Sequence, residues 1–285
     1  MQLRMLVCDL DNTLYDWVGF FVPSFYAMVD EAVILLNCDR DILLDDLRSV
    51  HRKHHDAEHP FALLETQLVK DALGTLDDEE RRRFLDPAFK AFNSKRKQTL
   101  RLYPGVEETL SALQSKGVML VAHTESRFFA VAYRMRTLGL IDYFSRVYCR
   151  QRPEKSFVQE NRTKTFIENF PDENVIELSM HQRKPDPSIL LEIQDTMGIL
   201  PSECAYVGDS LTRDILMAKQ ANTHAIWAKY GTEHDDQLYQ ELVRISHWTT
   251  EEVDREKDLK NRAATVQPDY ILKNSFSEIL KDLHI

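Results

Sequence analysis

The sequence is poor in cysteine and in positive charge. Its 285 residues include four cysteines, Cys8, Cys38, Cys149 and Cys204, and no two of them have Cys-x-x-Cys spacing. Cysteines scattered in this way predict neither a zinc site nor a disulfide framework. Lysine and arginine number 36 against 46 acidic residues, which gives a net charge of -10. Because no overall positive field offsets phosphate repulsion, we expect no nucleic-acid partner.

Long apolar runs are also missing. No stretch approaches the ~20 consecutive apolar residues of a membrane span, so we expect no membrane partner. Residues 1–7 lead into an apolar segment without the small-residue cleavage site of a signal peptide. These observations predict a cytoplasmic protein, either a monomer or a homodimer.

The most informative segment is Met-Leu-Val-Cys-Asp-Leu-Asp-Asn-Thr-Leu at residues 5–14. Side chains alternate along a strand, so Asp9 and Asp11 leave the backbone on the same side where the apolar run stops. Two such carboxylates beside a buried strand are costly unless a cation or a proton neutralises one of them. The spacing therefore predicts a divalent metal site, although a solvated turn after a strand fits the local pattern equally well.

Three further segments combine an apolar run with polar residues. Residues 205–214 read Ala-Tyr-Val-Gly-Asp-Ser-Leu-Thr-Arg-Asp and supply the acids Asp209 and Asp214. Residues 118–124 form an apolar run that ends at the hydroxyl of Thr124. Lys184 opens the sequence Lys-Pro-Asp-Pro, which precedes a periodic apolar segment typical of a helix.

The order of elements predicts an α/β fold. Strands are predicted near residues 3–9, 118–123, 145–149, 204–208, 224–228 and 269–272. Their alternation with helical segments indicates a doubly wound parallel sheet, in which ligands bind at the carboxyl ends of the strands. Residues 15–102 show only helical periodicity and form an insertion after the first strand.

In this order, the four segments resemble motifs one to four of the haloacid dehalogenase superfamily, in its aspartate-nucleophile phosphatase branch. The resemblance implies a Rossmann-like core of residues 1–14 and 103–285. It also implies that residues 15–102 form the α-helical cap of the family's subgroup one.

The resemblance implies a role for each motif residue. Asp9 matches the nucleophile and Asp11 the general acid and base. Thr124 and Lys184 match the ligands of the substrate phosphate. Glu125 departs from the family pattern, in which the residue after the motif-two threonine is commonly asparagine.

The resemblance also implies bound Mg²⁺. Its ligands would be Asp9, the backbone carbonyl of Asp11, Asp209 and, through water, Asp214. We expect a phosphohydrolase that acts on a small phosphorylated metabolite through an aspartyl-phosphate. Two alternatives remain open: a phosphotransferase such as a sugar-phosphate mutase, and a non-catalytic binding protein on the same fold.

Two features of the sequence lie outside these motifs. His51, His54, His55 and His59 have helical spacings that suit either a metal or substrate site or a solvated helix end. Residues 150–183, with a helix near 157–170, and residues 229–266 exceed a minimal core. We interpret both segments as surface elaborations, with a dimer contact or a lid as alternatives.

Overall fold

A computed structural model describes residues 2–59, 61–151, 172–179 and 181–282. The helix predicted near residues 157–170 lies outside these ranges.

The chain divides into two compact units. The first comprises Met1–Asp16, Arg101–Glu233 and Arg255–Ile285, and the second comprises Trp17–Leu100 and His234–Asp254.

The first unit is built on a parallel sheet. Its strands are β1 (Met5–Cys8), β2 (Met119–Arg127), β3 (Arg146–Arg150), β4 (Val175–Leu178), β5 (Cys204–Gly208), β6 (His224–Ala228) and β7 (Tyr270–Leu272). They lie in the order β4-β3-β2-β1-β5-β6-β7, and every pair is parallel. This confirms the predicted α/β fold.

The helices account for most of the remaining described chain. In order they are α1 (Trp17–Leu36), α2 (Arg40–His54), α3 (Ala62–Glu65), α4 (Gln67–Ala72), α5 (Asp78–Phe84), α6 (Asp86–Thr99), α7 (Val106–Ser115), α8 (Phe128–Thr137), α9 (Pro187–Met197), α10 (Leu216–Gln220), α11 (Asp236–Ile245), α12 (Thr250–Ala263) and α13 (Ile279–Asp282).

Strand β1 lies at the centre of the sheet. All four of its residues are fully buried, and Cys8 pairs with Ala122 on β2 and with Val207 on β5. A strand that is covered on both faces has a continuous apolar sequence, which explains why β1 shows no alternation. The same register brings the carboxyl ends of β1, β2 and β5 to one edge of the sheet.

Strand β4 is absent from the sequence-based prediction. Val175–Leu178 pairs with β3 at the edge of the sheet, within a segment that we had interpreted as a surface elaboration. That interpretation is wrong for these four residues. The strand is short and only Leu178 is fully buried, so its apolar pattern is weak.

The second unit is helical and contains α1 to α6 together with α11. Helix α11 packs against α1 and α2, and the hydroxyl of Tyr26 donates to the carbonyl of Glu241 over 3.1 Å. The sequence-based division had assigned residues 234–254 to the core. The contacts of α11 with α1 and α2 place this segment in the helical unit instead. The separation of residues 15–102 from the core as a cap stays a prediction.

Helix α1 is long and apolar enough to cross a membrane by length and composition alone. Its most apolar window has a mean hydropathy of 1.5, and 56% of that window is buried inside the structure. The central helix of a soluble protein has the same properties, so this helix is weak evidence for a membrane span.

Candidate active site

The loop after β1 carries the first two acids. The amide of Asp9 donates to the carbonyl of Val207 over 2.9 Å, which continues the pairing with β5. Asn12 then adopts a left-handed conformation at φ 55°, which an asparagine tolerates better than most residues. The hydroxyl of Tyr230 donates to the carbonyl of Thr13 over 2.6 Å and fixes the far side of the loop.

Gly231 packs directly against this loop. A Cβ atom at that position would lie 1.7 Å from the backbone oxygen of Asn12, far inside contact distance. Only glycine allows so close an approach of the two backbones. The loop that presents Asp9 and Asp11 therefore depends on a residue more than 200 positions away in the sequence.

Asp9 and Lys184 form a buried ion pair. The Lys184 Nζ lies 2.5 Å from Asp9 Oδ1 and 2.7 Å from Asp214 Oδ1. The other carboxylate oxygen of Asp9 accepts a hydrogen bond from the Thr13 hydroxyl over 3.0 Å. One lysine thus bridges two carboxylates from the segments that follow β1 and β5, and Thr13 orients the first of them.

The end of β5 positions Asp209 and Asp214. A wide helical turn over Leu211–Ile215 follows the strand and returns the Asp214 carboxylate to the amide of Ser210, which donates to it over 3.0 Å. The Trp227 indole donates to the carbonyl of Asp209 over 2.8 Å. Gly208 makes room for the returning acid, because a Cβ there would lie 2.3 Å from the Asp214 carboxyl carbon.

Three carboxylates converge at this edge of the sheet. Oxygens of Asp9, Asp209 and Asp214 all lie within 4.8 Å of one another. Burial raises the pKa of Asp9 to about 7, the Lys184 cation opposes that rise, and Asp214 and Asp11 add to it. Burial and the neighbouring acids also raise the pKa of Asp209 well above its ordinary value. Lys184 alone therefore leaves the cluster short of positive charge.

The donor set fits a hard divalent cation. It consists of carboxylate oxygens, which are the ligands that Mg²⁺ prefers. Proteins usually bind Mg²⁺ through one or two carboxylates. Burial alone would lower the pKa of Lys184, but Asp214 and Asp9 outweigh it and raise that pKa well above the ordinary value. Lys184 thus stays charged beside the cluster.

The side chain of Asp11 has different partners. The Ser126 hydroxyl donates to Asp11 Oδ2 over 2.6 Å, and Arg134 Nη1 lies 2.7 Å from Asp11 Oδ1. Arg134 also donates to the Ser126 oxygen over 3.0 Å. Arg134 is 1% exposed, so this closed triangle holds the Asp11 carboxylate in one orientation.

Sequence reasoning missed Ser126 and Arg134. Arg134 lies on α8 between the buried residues Val131 and Met135, so it occupies the apolar face of that helix. A cation there needs a buried partner, and this is the signal that could have identified it. Ser126 has no such signal, since it is a polar residue two positions after Thr124.

Thr124 is also buried at this edge of the sheet. It lies within β2, whose pairing with β3 shifts register between His123 and Arg127. The Thr124 hydroxyl accepts a hydrogen bond from the amide of Ser126 over 3.1 Å. The next residue, Glu125, pairs with Arg213 over 3.2 Å. The departure at position 125 is thus accommodated by an ion pair.

A model described as haloacid dehalogenase-like hydrolase matches residues 3–222. The chain belongs to this family. The match spans all six residues selected from the sequence and confirms the resemblance stated above.

Relatives of this hydrolase include proteins named as phosphatases. It is 28% identical over 245 residues to a phosphoglycolate phosphatase of Nitrosospira multiformis, covering 84% of this chain and 89% of that protein. It is 26% identical over 247 residues to a phosphoglycolate phosphatase of Shigella boydii, covering 83% and 85% respectively. These matches place the hydrolase among the phosphatases of its family.

Solved structures agree with the fold. A 2-haloacid dehalogenase from Pseudomonas syringae pv. Tomato matches with a TM-score of 0.56 at 21% identity, over 99% of this chain and 98% of that one. A protein described as a predicted phosphoglycolate phosphatase from Haemophilus somnus matches with a TM-score of 0.50 at 19% identity, over the same shares. At these identities the likeness concerns the fold alone.

Proposed function

We propose that the hydrolase is a Mg²⁺-dependent phosphatase that cleaves a small phosphomonoester through an aspartyl-phosphate on Asp9. The observation that carries the proposal is the convergence of Asp9, Asp209 and Asp214 with one buried lysine at the carboxyl edge of a parallel sheet. Ligands of such sheets bind at this edge. A non-catalytic protein on the same fold would not need to retain all of these residues.

The nucleophile would be a carboxylate oxygen of Asp9. It forms a bond to phosphorus while the bond from phosphorus to the leaving oxygen breaks, which splits one difficult hydrolysis into two easier displacements. Thr13 orients Asp9 for this attack through its hydrogen bond. Lys184 would neutralise oxygens of the transferring phosphoryl group as a point charge, and the Thr124 hydroxyl would bind another.

Asp9, Asp209, the backbone carbonyl of Asp11 and, through water, Asp214 would hold Mg²⁺, which would supply positive charge beside the substrate phosphate. The residue roles follow the family pattern residue by residue.

Asp11 would donate a proton to the leaving oxygen and later accept one from the attacking water. Both steps use the same carboxyl group, so it must stay within reach of the phosphorus through two half-reactions. Ser126 and Arg134 hold it in one orientation. We therefore assign them positioning roles, because their contacts are with Asp11.

2-Phosphoglycolate is the first substrate to test, because the relatives reported above are named phosphoglycolate phosphatases. We propose it on that ground only. Hydrolysis is favoured over transfer to a second hydroxyl for the same reason. The cytoplasmic location and the state as a monomer or homodimer stay predictions.

Metal removal provides the direct test of the proposed function. We expect the purified protein to release inorganic phosphate from 2-phosphoglycolate or another small phosphomonoester with Mg²⁺, and to lose that activity in EDTA. Full turnover by the metal-free protein would contradict the metal site. Conversion of a sugar phosphate to its isomer without net phosphate release would indicate a mutase instead.

The proposed metal site also predicts that the effect of Mg²⁺ on the melting temperature depends on pH. The raised pKa of Asp9 means that the metal-free native state binds a proton more tightly than the unfolded chain, whose aspartate titrates near 4. The free energy of unfolding that Asp9 contributes to the metal-free protein is thus fully present below pH 4 and is lost as the pH rises through about 7. We expect Mg²⁺ to raise the melting temperature more at pH 8 than at pH 5.

A substitution of Arg134 tests the positioning of Asp11. We expect Arg134→Met to lower kcat by roughly 10²-fold with a smaller change in KM, because a misplaced acid affects the transition state more than binding. Arg136→Met, two residues along the same helix and only half-buried, is the matched control. Equal kcat values for the Arg134 variant and the wild type would remove Arg134 from the mechanism.

A further inference from the structure

Two histidines and a glutamate come together in the helical unit, at a place that the proposed function does not use. His54 Nε2 lies 2.7 Å from Glu65 Oε2, and His59 Nε2 lies 2.6 Å from Glu65 Oε1. The two imidazole rings stack with their centroids 3.5 Å apart and their planes 4° from parallel. Each ring nitrogen thus faces its own oxygen of one carboxylate, and the ligand atoms of the three residues all lie within 4.8 Å of one another.

The local backbone brings these side chains together. Helix α2 ends at His54, and His55 follows in a left-handed conformation at φ 50°, which turns the chain back. The amide of His59 then donates to the carbonyl of Asp56 over 3.4 Å, which closes a turn. Glu65 ends the short helix α3. The helix end and the turn thus bring the three residues close together.

The cluster differs from a solvated helix end. The His59 side chain is 2% exposed, whereas those of His54 and Glu65 are 26% and 31% exposed. The Nδ1 atom of His59 is buried without a protein hydrogen-bond partner. His51, which lies on α2 as His54 does, is also buried, and its Nδ1 lies 2.7 Å from the carbonyl oxygen of Ile245. Of the four histidines in the motif, only His55 is exposed.

We propose that His54, His59 and Glu65 bind a divalent transition-metal ion of the Zn²⁺ type. Imidazole nitrogen with one carboxylate is a donor set that suits Zn²⁺, Co²⁺ or Ni²⁺, whereas Mg²⁺ prefers oxygen alone. The protein would then hold two chemically distinct cation sites. One is the carboxylate site of Asp9, Asp209 and Asp214, and the other is this histidine site.

Burial lowers the pKa of His59, which favours a neutral ring. Burial alone would raise the pKa of Glu65, but the hydrogen bonds from His54 and His59 outweigh it and lower that pKa to about 2. Metal binding requires a lone pair on each coordinating nitrogen, so the protons that the two rings now donate to Glu65 would leave Nε2 when an ion binds.

The distances allow an ion to enter with small movements. Ligand bonds of about 2.0–2.1 Å at tetrahedral angles separate neighbouring donor atoms by about 3.3 Å. The donor atoms of the three residues lie within 4.8 Å of one another, and the two nitrogen to oxygen distances are 2.6 and 2.7 Å. Opening the two nitrogen to oxygen pairs to that separation needs shifts of about 0.6–0.7 Å, and the parallel rings must also tilt so that both nitrogens face one ion.

Zinc binding with Mg²⁺ in excess tests this proposal, because Mg²⁺ then occupies the carboxylate site. We expect isothermal titration to show one Zn²⁺ bound per chain, with Co²⁺ giving the visible absorption of a site with nitrogen ligands. His54→Ala and Glu65→Gln should each weaken Zn²⁺ binding at least tenfold. His55→Asn is the matched control, since it removes the adjacent exposed imidazole and asparagine tolerates the left-handed conformation.

The outcomes separate a metal site from a simple hydrogen-bond network. Absence of Zn²⁺ uptake by the wild-type protein in excess Mg²⁺ would overturn the proposal and leave the cluster as a glutamate bridging two neutral histidines. Zn²⁺ binding that is unchanged in both ligand variants would also overturn it. Absence of uptake by the wild-type protein overturns the proposal even if a variant does not fold, and none of these readouts depends on phosphatase activity.

Discussion

The Asp9→Asn variant is expected to release phosphate at less than a few per cent of the wild-type rate while remaining folded. An amide nitrogen or oxygen cannot replace the attacking carboxylate, so no phosphoryl bond forms on the protein. The raised pKa of Asp9 shows that the fold penalises its charged form. We therefore expect the variant to be at least as stable as the metal-free wild type at pH 8.

Phosphate release and thermal unfolding of Asp9→Asn should be measured on the same preparation. Asp142→Asn is a charge-matched control on the exposed surface of the same unit. An Asp9 variant that retains a substantial share of the wild-type rate would exclude Asp9 as nucleophile. A variant that is inactive because it is unfolded would show a lost melting transition, so the two cases are distinguishable.

The Lys184→Met variant is expected to lose about 3–5 kcal/mol of unfolding free energy at neutral pH without metal, the usual cost of removing one partner of a buried ion pair. Lys184 contacts Asp9 and Asp214 at 2.5 and 2.7 Å, and all three side chains are almost fully buried. Its loss leaves the carboxylates without their nearest cation. The deficit should shrink at lower pH, where the acids bind protons, and also on addition of Mg²⁺.

Denaturant unfolding at several pH values measures this loss. Lys219→Met is the control, because Lys219 pairs with Asp269 at a similar 2.7 Å but is 39% exposed, and exposed pairs contribute only about 0–1 kcal/mol. Combining Lys184→Met with Asp9→Asn should recover part of the lost stability, because the uncompensated charge is removed. Equal losses for Lys184→Met and Lys219→Met would contradict the role assigned to the buried pair.

Local sequence patterns predicted most of the sheet. The apolar runs of β1, β2 and β5 each continue for four or more buried residues, and such runs report burial directly. Asp186 and Pro187 predicted the start of α9, where Asp186 accepts a hydrogen bond from the amide of Ser188 over 2.9 Å. These features depend only on residues close in sequence.

Other features could not be predicted in this way. The edge strand β4 is mostly unburied, and the assignment of α11 to the helical unit rests on contacts with α1 and α2, which are about 200 residues away in the chain. Of the two alternatives left open for the four histidines, a solvated helix end does not fit His51 and His59, which are buried. Helical spacing shows which side chains share a face but does not show what covers that face.

Strand periodicity and turn chemistry act over a few residues, so the sequence was enough to predict an α/β sheet with acids at the carboxyl ends of its strands. The cations that meet those acids depend on tertiary packing. Lys184 reaches Asp9 across 175 positions and Arg134 reaches Asp11 across 123. Such pairs depend on how helices pack against strands, and that packing follows from burial of apolar surface over the whole unit and not from any local pattern.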